Sequence, residues 1–185
     1  MRADGQVVLV PFNSTAIEVA IGFRCTDGSI IICDTNDGGR YKTSTAEAEA
    51  IELNAIDTKY NGNARALIRM MKQWQRERNV PLKSFQIERL AIEFIQTWSW
   101  SYHDVFWYDW MVRDFFAYLI RRANGNVIMP GTGESVALGD DWLSRAQTAH
   151  RSAVAACDHE HGNCEFLAGG AWQEIFGTFI PMSVS

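Results

Sequence analysis

The sequence predicts an α+β fold in which a small β-rich segment leads into a helical bundle. Apolar residues alternate with a period of two in the first third of the chain, and from residue 45 onward they recur at helical spacing. The chain has 185 residues, of which 47% are hydrophobic and 21% charged. A chain of this size buries one ample core without disulfides, and this composition excludes a disordered or low-complexity protein.

The β-rich segment covers residues 1–44 and forms the first predicted domain. Its predicted strands lie at 6–12, 16–23 and 29–33. In the second of these, Ile17, Val19, Ile21 and Phe23 alternate with smaller or polar residues, which indicates a half-buried strand. The dipeptide Asp27-Gly28 between the second and third strands predicts a hairpin.

The helical part, residues 45–185, forms the second predicted domain. Its predicted helices lie at 46–59, 64–79, 84–98, 104–123, 140–157 and 167–176, with a loop at 124–139. The third of them carries a single apolar face, made of Ile87, Leu90, Ala91, Phe94, Ile95 and Trp98. Segment 104–123 is apolar almost all round, so we expect it to be a central core helix.

The net charge, the hydropathy and the N-terminal residues argue against several classes of protein. With 17 basic and 22 acidic residues the net charge is −5, which argues against a polybasic membrane binder and makes nucleic acid an unlikely partner. No apolar run reaches the roughly 18 residues of a membrane span, and residues 1–5 do not resemble a targeting peptide. The four cysteines are too sparse for a disulfide framework, so we expect a reducing cytoplasm.

The helix at 64–79 carries the most informative charge pattern. Four basic residues fall within an arc of about 60° on its surface. They are Arg65, Arg69, Lys72 and Arg76. The apolar residues Leu67, Met70, Met71 and Trp74 occupy the opposite side. Two interpretations stay open: a helix that docks on a core and faces an anion such as phosphate, or a solvated face paired with neighbouring acids.

Three further residues have both a structural and a functional interpretation. Ser84 is placed to cap the third helix, and a helix N-terminus also attracts phosphate. Phe85 is either a core residue or an exposed stacking surface. Glu18 lies in an apolar strand, where it is either an exposed side chain or a magnesium ligand at the floor of a cleft.

A short polar segment contains two cysteines and two histidines. These are Cys157, His159, His161 and Cys164. Their side chains suit Zn²⁺, which takes four ligands in a tetrahedron, but the spacing matches no common zinc motif. A structural zinc clip and an ordinary helix end with polar residues are the two alternatives.

Five short motifs, taken in order, resemble one enzyme family. The matching segments are 17–23 (IEVAIGF), 32–41 (ICDTNDGGRY), 68–74 (IRMMKQW), 83–88 (KSFQIE) and 172–177 (WQEIFG) with Pro181. In that order they are similar to the third-carboxylate strand, the Gly-Gly loop, the Arg-x-x-Lys-x-Trp and Ser-Tyr-x-x-Glu segments and the closing Trp…Phe-Gly…Pro of a nucleotidyltransferase. The family comprises the DNA-polymerase-beta-like nucleotidyltransferases related to cyclic GMP–AMP synthase, DncV and oligoadenylate synthetase, including those of bacterial antiphage signalling.

The resemblance implies the end of a nucleotidyltransferase palm sheet followed by a helical lobe. It implies that Lys72 and Ser84 hold the triphosphate of ATP or GTP, with Arg69 in the same segment and Phe85 in the place of a base-stacking aromatic. It also implies that Glu18 is the third metal-binding acid of a Mg²⁺-dependent active site. The family makes cyclic or linear oligonucleotide second messengers.

The sequence departs from the family at its beginning. Family members carry a Gly-Ser loop and an Asp-x-Asp pair before the third acid, whereas 17 residues precede Glu18 and contain neither. Residues 20–22 (AIG) also replace the usual Val-Pro-Ala. Because phosphoryl transfer relies on bound metal ions, we expect this chain to be inactive alone, as the C-terminal portion of an enzyme with a missing N-terminal catalytic half. The alternatives are a non-catalytic nucleotide-binding or protein-interaction module and a purely structural piece.

Overall fold

The structure, a computed structural model, consists of two units. It describes residues 2–4, 7–13, 16–26, 29–34, 39–44 and 46–183. The first unit comprises Met1–Ala50 and Pro130–Thr132, and the second comprises Ile51–Met129 and Gly133–Ser185. We call them the β unit and the helical unit.

The β unit contains two three-stranded antiparallel sheets among its described residues. The strands are β1 (Arg2–Asp4), β2 (Val7–Pro11), β3 (Ala16–Ala20), β4 (Gly22–Arg24), β5 (Ile30–Asp34) and β6 (Arg40–Thr43). One sheet has the order β1-β2-β3 and the other β4-β5-β6. Strands β4 and β5 pair antiparallel, with Phe23 opposite Ile31, so the predicted pairing is confirmed. The Asp27-Gly28 turn, and residues 35–38 of the Gly-Gly loop motif, lie outside the described residues.

The single strand predicted at 16–23 is wrong in two respects. The chain leaves the first sheet after Ala20 and enters the second at Gly22, so the segment forms two strands. A Cβ atom at Gly22 would lie 2.7 Å from Cγ2 of Ile30, so glycine permits the close approach to β5. All five residues of β3 are exposed, so it is not the half-buried strand that the alternation predicts.

The helices follow the predicted order with adjusted ends. They are α1 (Ala46–Lys59), α2 (Asn63–Glu77), α3 (Ser84–Thr97), α4 (Tyr108–Ile120), α5 (Leu143–His161) and α6 (Glu165–Phe176). A turn of 3-10 helix, Val105–Trp107, precedes α4. The predicted loop 124–139 instead contains a hairpin of β7 (Asn126–Ile128) and β8 (Ser135–Ala137). Within the part of the chain that the structure describes, no helix is long and apolar enough to cross a membrane.

The core of the helical unit forms between the apolar faces of its helices. The predicted face of α3 is buried throughout, as shown by Ile87, Leu90, Ala91, Phe94, Ile95 and Trp98. Helix α4 buries one face and not its whole circumference, which corrects the prediction of an all-round apolar helix. Its buried residues are Met111, Val112, Phe115, Phe116 and Leu119. In the preceding segment Phe106 is 86% exposed, and Trp110 of α4 is also exposed.

Edge-to-face aromatic contacts pack α2 and α3 against α4. The rings of Trp74 and Phe116 meet at 5.0 Å between centroids and 72° between planes. Phe94 and Phe115 meet at 5.4 Å and 83°. Such pairs contribute about 0.5–1.5 kcal/mol each beyond the burial of their area. These contacts fix which face of α2 turns away from the core.

A buried amide fixes the start of α2. Asn63 is 2% exposed, and its Nδ2 donates to the carbonyls of Ser101 (2.9 Å) and His103 (2.8 Å). Its Oδ1 accepts from the hydroxyl of Tyr108 at 2.9 Å. Gly62 adopts φ 84°, a left-handed conformation that glycine tolerates, and so allows the sharp turn between α1 and α2. The orientation of the basic face of α2 is therefore set by contacts at both its start and its apolar side.

Candidate functional site

The basic face of α2 is divided between paired and unpaired residues. Arg65 forms an ion pair with Asp57 at 2.9 Å, and its backbone N–H donates to the same carboxylate. Arg76 donates to the side chain of Gln73. Arg69 is exposed and has no ion-pair partner among the described residues. The solvated-face interpretation therefore describes Arg65, while Arg69 keeps an available charge.

Lys72 lies beside the first turns of α3. Its Nζ contacts Oε1 of Glu88 at 2.5 Å, and Glu88 follows Ser84 by four residues, one helical turn along the same face. Both side chains of the pair are partly exposed, at 41% and 28%. An ion pair this open to water contributes about 0–1 kcal/mol, so an anion can compete for Lys72 at little cost.

Ser84 is the first residue of α3 and not its N-cap, which corrects the sequence prediction. Lys83 is the N-cap, and its backbone N–H donates to Oε1 of Gln86 at 2.8 Å. The Ser84 side chain is exposed, and neither its hydroxyl nor its backbone N–H has a hydrogen-bond partner among residues that the structure describes. The same holds for the N–H of Phe85. The first turn of α3 thus keeps donors available for an anion.

Phe85 is neither a fully buried core residue nor a fully exposed stacking surface, the two alternatives that the sequence leaves open. Its side chain is half-buried, and Nζ of Lys83 sits 5.9 Å from the centroid of its ring. Part of the ring therefore stays accessible at the start of α3, next to a cation. This position allows a stacking contact with a planar ligand while the rest of the ring packs on the protein.

Four of the five residues predicted to form the nucleotide site lie in the helical unit, on α2 and at the start of α3. Arg69 and Lys72 lie on α2, and Ser84 and Phe85 begin α3, all within the helical unit. Glu18 lies in the β unit, exposed on β3 and opposite Leu9 of β2. Sequence reasoning missed the pairing of Lys72 with Glu88, for which the only signal was the Glu at the end of the Ser-Phe-x-x-Glu motif.

The cysteine and histidine segment forms the end of α5. Cys157, His159 and His161 lie in the last turns of the helix, and Cys164 follows it. Burial raises the pKa of the Cys157 thiol to about 12, and the charge of Asp109 adds to the shift. Among the residues that the structure describes, no group of three or more Cys, His, Asp or Glu side chains is placed to hold a metal ion. These residues form the end of a helix, and the zinc site stays a prediction.

Thiol labelling distinguishes the two cysteines of this segment. At pH 8 a thiol with a pKa of about 12 is ionised in roughly one molecule in 10,000, so Cys157 is expected to resist Ellman's reagent in the folded protein. Cys164 is exposed and is expected to react quickly. Comparing the protein with its Cys164→Ser variant measures this directly. Fast loss of two thiols from the segment would contradict the burial of Cys157.

The tryptophan of the closing motif ties α6 to α5. Nε1 of Trp172 donates to Oε1 of Glu160 at 2.6 Å. Burial raises the pKa of the Glu160 carboxyl, and the hydrogen bond from Trp172 partly offsets this. A second link joins the same helices, since the hydroxyl of Ser152 donates to Glu174 at 2.7 Å. The motif therefore has a structural role in the helical unit.

Comparisons with known proteins identify the fold through solved structures. No family model matches the chain, and no curated protein matches it. The crystal structure of Vibrio cholerae DncV cyclic AMP-GMP synthase in complex with nonhydrolyzable GTP superimposes with a TM-score of 0.81 at 14% sequence identity. The match covers 97% of this chain and 52% of that one.

Two structures that contain CdnC also match the chain. The Escherichia coli MS115-1 CdnC:HORMA-deltaN complex matches with a TM-score of 0.72 and 15% identity, over 96% of this chain and 64% of that one. CdnC of the same strain with ATP matches with a TM-score of 0.70 and 18% identity, over 96% and 65%. The chain has the α+β fold of the DncV and CdnC structures, as the resemblance predicts, and it spans about half the length of DncV.

Proposed function

We propose that this chain is the nucleotide-binding C-terminal portion of a nucleotidyltransferase that makes cyclic or linear oligonucleotide second messengers. In this proposal the complete enzyme is cytoplasmic, uses ATP or GTP and acts in antiphage defence. Its Gly-Ser and Asp-x-Asp motifs would be supplied by an N-terminal catalytic half. Two of the similar structures contain GTP or ATP, which supports nucleoside triphosphates as the ligand class.

One observation supports the proposal: Lys72 of α2 pairs with Glu88, one helical turn after Ser84 at the open first turn of α3. Lys72 is held there by a weak, exposed pair with Glu88. The hydroxyl of Ser84 and the backbone N–H groups of Ser84 and Phe85 keep their hydrogen-bonding capacity at the positive end of α3. Arg69 adds an available charge on the same face of α2. Such a set suits the terminal phosphates of a triphosphate.

The proposed catalysis needs Mg²⁺, to which Glu18 would contribute one carboxylate. Its exposed position on β3 and its hard oxygen donors fit that ion, which takes oxygen ligands and commonly keeps waters and phosphate oxygens as its remaining partners. Bound Mg²⁺ would neutralise charge on the transferred phosphoryl group. Glu18 alone leaves most of the coordination to groups from the proposed N-terminal half and the nucleotide.

Calorimetric titration with ATP and GTP in the absence of Mg²⁺ tests the phosphate site separately from catalysis. We expect binding that weakens about tenfold or more in Lys72→Ala and in Ser84→Ala, since each removes a charge-assisted hydrogen bond to phosphate. The control is Arg121→Ala, which removes an exposed arginine just after α4. Binding that is equal in all four proteins would contradict the roles of Lys72 and Ser84.

One observation favours the alternative, a non-catalytic protein-interaction module. The segment before α4 exposes apolar side chains to solvent, with Tyr102 at 56%, Val105 at 62% and Phe106 at 86%. Exposed apolar patches commonly mark interaction sites. One of the similar structures is a complex of CdnC with a HORMA protein. Absence of any ATP or GTP binding, together with retained folding, would favour this alternative.

A further inference from the structure

An open surface cavity lies in the helical unit, between the end of α2 and the facing parts of α5 and α6. It has a volume of about 260 Å³. Its lining includes two arginines, two hydroxyl side chains, a carboxylate and the edge of a buried ring, contributed by Arg78, Arg145, Ser144, Thr148, Glu174 and Trp74. A space of this size holds a small ligand, and two guanidinium groups supply the positive charge of its lining.

Backbone carbonyls, and not carboxylates, hold the two arginines in place. Nη2 of Arg78 donates to the carbonyl of Gln173 at 2.6 Å, and Nε of Arg145 donates to the carbonyl of Arg78 at 3.2 Å. Within the described ranges, neither guanidinium forms an ion pair. Their positions are therefore constrained while most of their donors and their charge remain available. A planar guanidinium matches two oxygens of a phosphate, so the pair presents a phosphate-binding surface.

The start of α5 adds one neutral donor, the backbone N–H of Ser144, to the same cavity. Ser144 is the second residue of this 19-residue helix, and its backbone N–H has no acceptor among the described residues. The hydroxyl of Thr148 donates to the carbonyl of Ser144 at 3.1 Å and accepts from Nη2 of Arg151 at 3.1 Å. The positive end of the helix thus reinforces the charge of the arginines.

Glu174 limits which anion fits. It contributes one negative charge to a lining with two positive ones, and Oε2 of its carboxylate accepts from Ser152 at 2.7 Å. The remaining carboxylate capacity can accept a hydrogen bond from a ligand. A molecule that carries a phosphate with a hydroxyl or amino group near it matches both the arginines and the carboxylate of the lining.

This cavity is separate from the proposed nucleotide site. Trp74 follows Lys72 by two residues, which rotates its side chain about 200° around α2. The phosphate-facing side of α2, with Lys72 and Arg69, and the cavity side, with Trp74, therefore point in nearly opposite directions. A ligand in the cavity does not occupy the position proposed for the triphosphate.

We propose that this cavity is a binding site for a small phosphomonoester, with its phosphate on Arg78 and Arg145 and a hydroxyl or amino group on Glu174. The role is distinct from substrate binding. A purely structural explanation is that both arginines only satisfy helix-terminal carbonyls. Binding measurements separate the two, because a structural role changes stability without creating affinity for phosphate.

The test is calorimetric titration of the full chain with inorganic phosphate and with glycerol phosphate, at constant ionic strength set by sodium chloride. We expect binding of both probes, weakened about tenfold or more in Arg78→Gln and in Arg145→Gln. Glu174→Gln is expected to strengthen binding of inorganic phosphate several-fold by removing a repulsive charge and to weaken the preference for glycerol phosphate. Arg121→Gln serves as the matched control on a distant exposed arginine, and thermal unfolding confirms that each variant is folded.

Several outcomes would overturn the proposal. The first is the absence of phosphate binding above the background measured with chloride. The second is a loss of phosphate affinity in Arg121→Gln equal to that in Arg78→Gln and Arg145→Gln, which would indicate nonspecific charge effects. Loss of stability in Arg78→Gln and Arg145→Gln with unchanged phosphate affinity would assign the arginines to helix termini alone. Because Lys72→Ala and Ser84→Ala leave this cavity intact, phosphate binding that disappears in those variants would also place the site elsewhere.

Discussion

Replacing Trp142 by alanine is expected to lower the free energy of unfolding of the helical unit by about 3–5 kcal/mol. Trp142 is 0% exposed, and its Nε1 donates to the carbonyl of Leu138 at 2.9 Å. The variant loses the burial of a large ring and leaves a cavity and an unsatisfied carbonyl. A domain of ordinary stability has about 5–15 kcal/mol in total, so this loss removes a large share of it.

Chemical denaturation followed by circular dichroism measures the loss, with two control variants that separate its causes. Trp142→Phe keeps an aromatic ring but removes the donor, and is expected to cost less than the alanine variant. Trp100→Ala removes a tryptophan that is 42% exposed, and is expected to cost about 1–2 kcal/mol. Equal losses in Trp142→Ala and Trp100→Ala would contradict the assignment of Trp142 to the core.

Combining Lys72→Ala with Ser84→Ala is expected to weaken ATP binding more than about 100-fold. Hydrogen bonds to charged groups contribute about 1.5–3 kcal/mol each, so losing two costs at least about 3 kcal/mol of binding free energy. A tenfold change in the dissociation constant corresponds to about 1.4 kcal/mol, so the loss exceeds about 100-fold. The removal of Lys72 also leaves Glu88 unpaired beside the site, where its charge repels phosphate. Both effects act in the same direction.

A matched double variant provides the control for this loss. Arg121→Ala with Thr97→Ala also removes one basic and one hydroxyl side chain, but Thr97 lies at the opposite end of α3 and bonds to the carbonyls of Glu93 and Phe94. We expect ATP affinity within about threefold of the unmodified protein, because general charge effects are small at physiological salt. Equal weakening in both double variants would contradict a specific phosphate site.

The sequence predicts the helical unit well because helix periodicity is a local property. The buried face of α3 and the opposed basic and apolar sides of α2 follow from side-chain spacing alone. The order of the five motifs identified a fold that the superposition on DncV confirms at 14% identity. The side chains that face the core recur every three or four residues along a helix, so the sequence of one helix is enough to predict its buried face.

The β unit was predicted less completely because strand pairing depends on distant residues. The alternation of apolar residues runs through Ile21 without interruption, although the chain changes sheets there. In the helical unit, the three-residue strands β7 and β8 are too short to show any period, so the sequence predicts a loop there. Even the full burial of Val127 could not be inferred from its neighbours.

The details of the candidate site depended on pairings that a sequence pattern does not reveal. Lys83, and not Ser84, is the N-cap of α3, because the side chain of Gln86 accepts a hydrogen bond from the backbone N–H of Lys83. The partner of Lys72 is Glu88, 16 residues away on another helix. The sequence supplied the residue types and the face, and packing of α2 against α3 determined the contacts.

The central claim is that the first turn of α3 and Lys72 hold a triphosphate, and backbone amide NMR tests it most directly. Titration of ATP into the ¹⁵N-labelled chain is predicted to shift the amide resonances of Ser84 and Phe85 most strongly. These shifts should vanish in the Lys72→Ala/Ser84→Ala protein at the Phe85 amide and persist in the Arg121→Ala/Thr97→Ala protein. Binding of ATP that leaves the amides of residues 84–86 unchanged would contradict the claim.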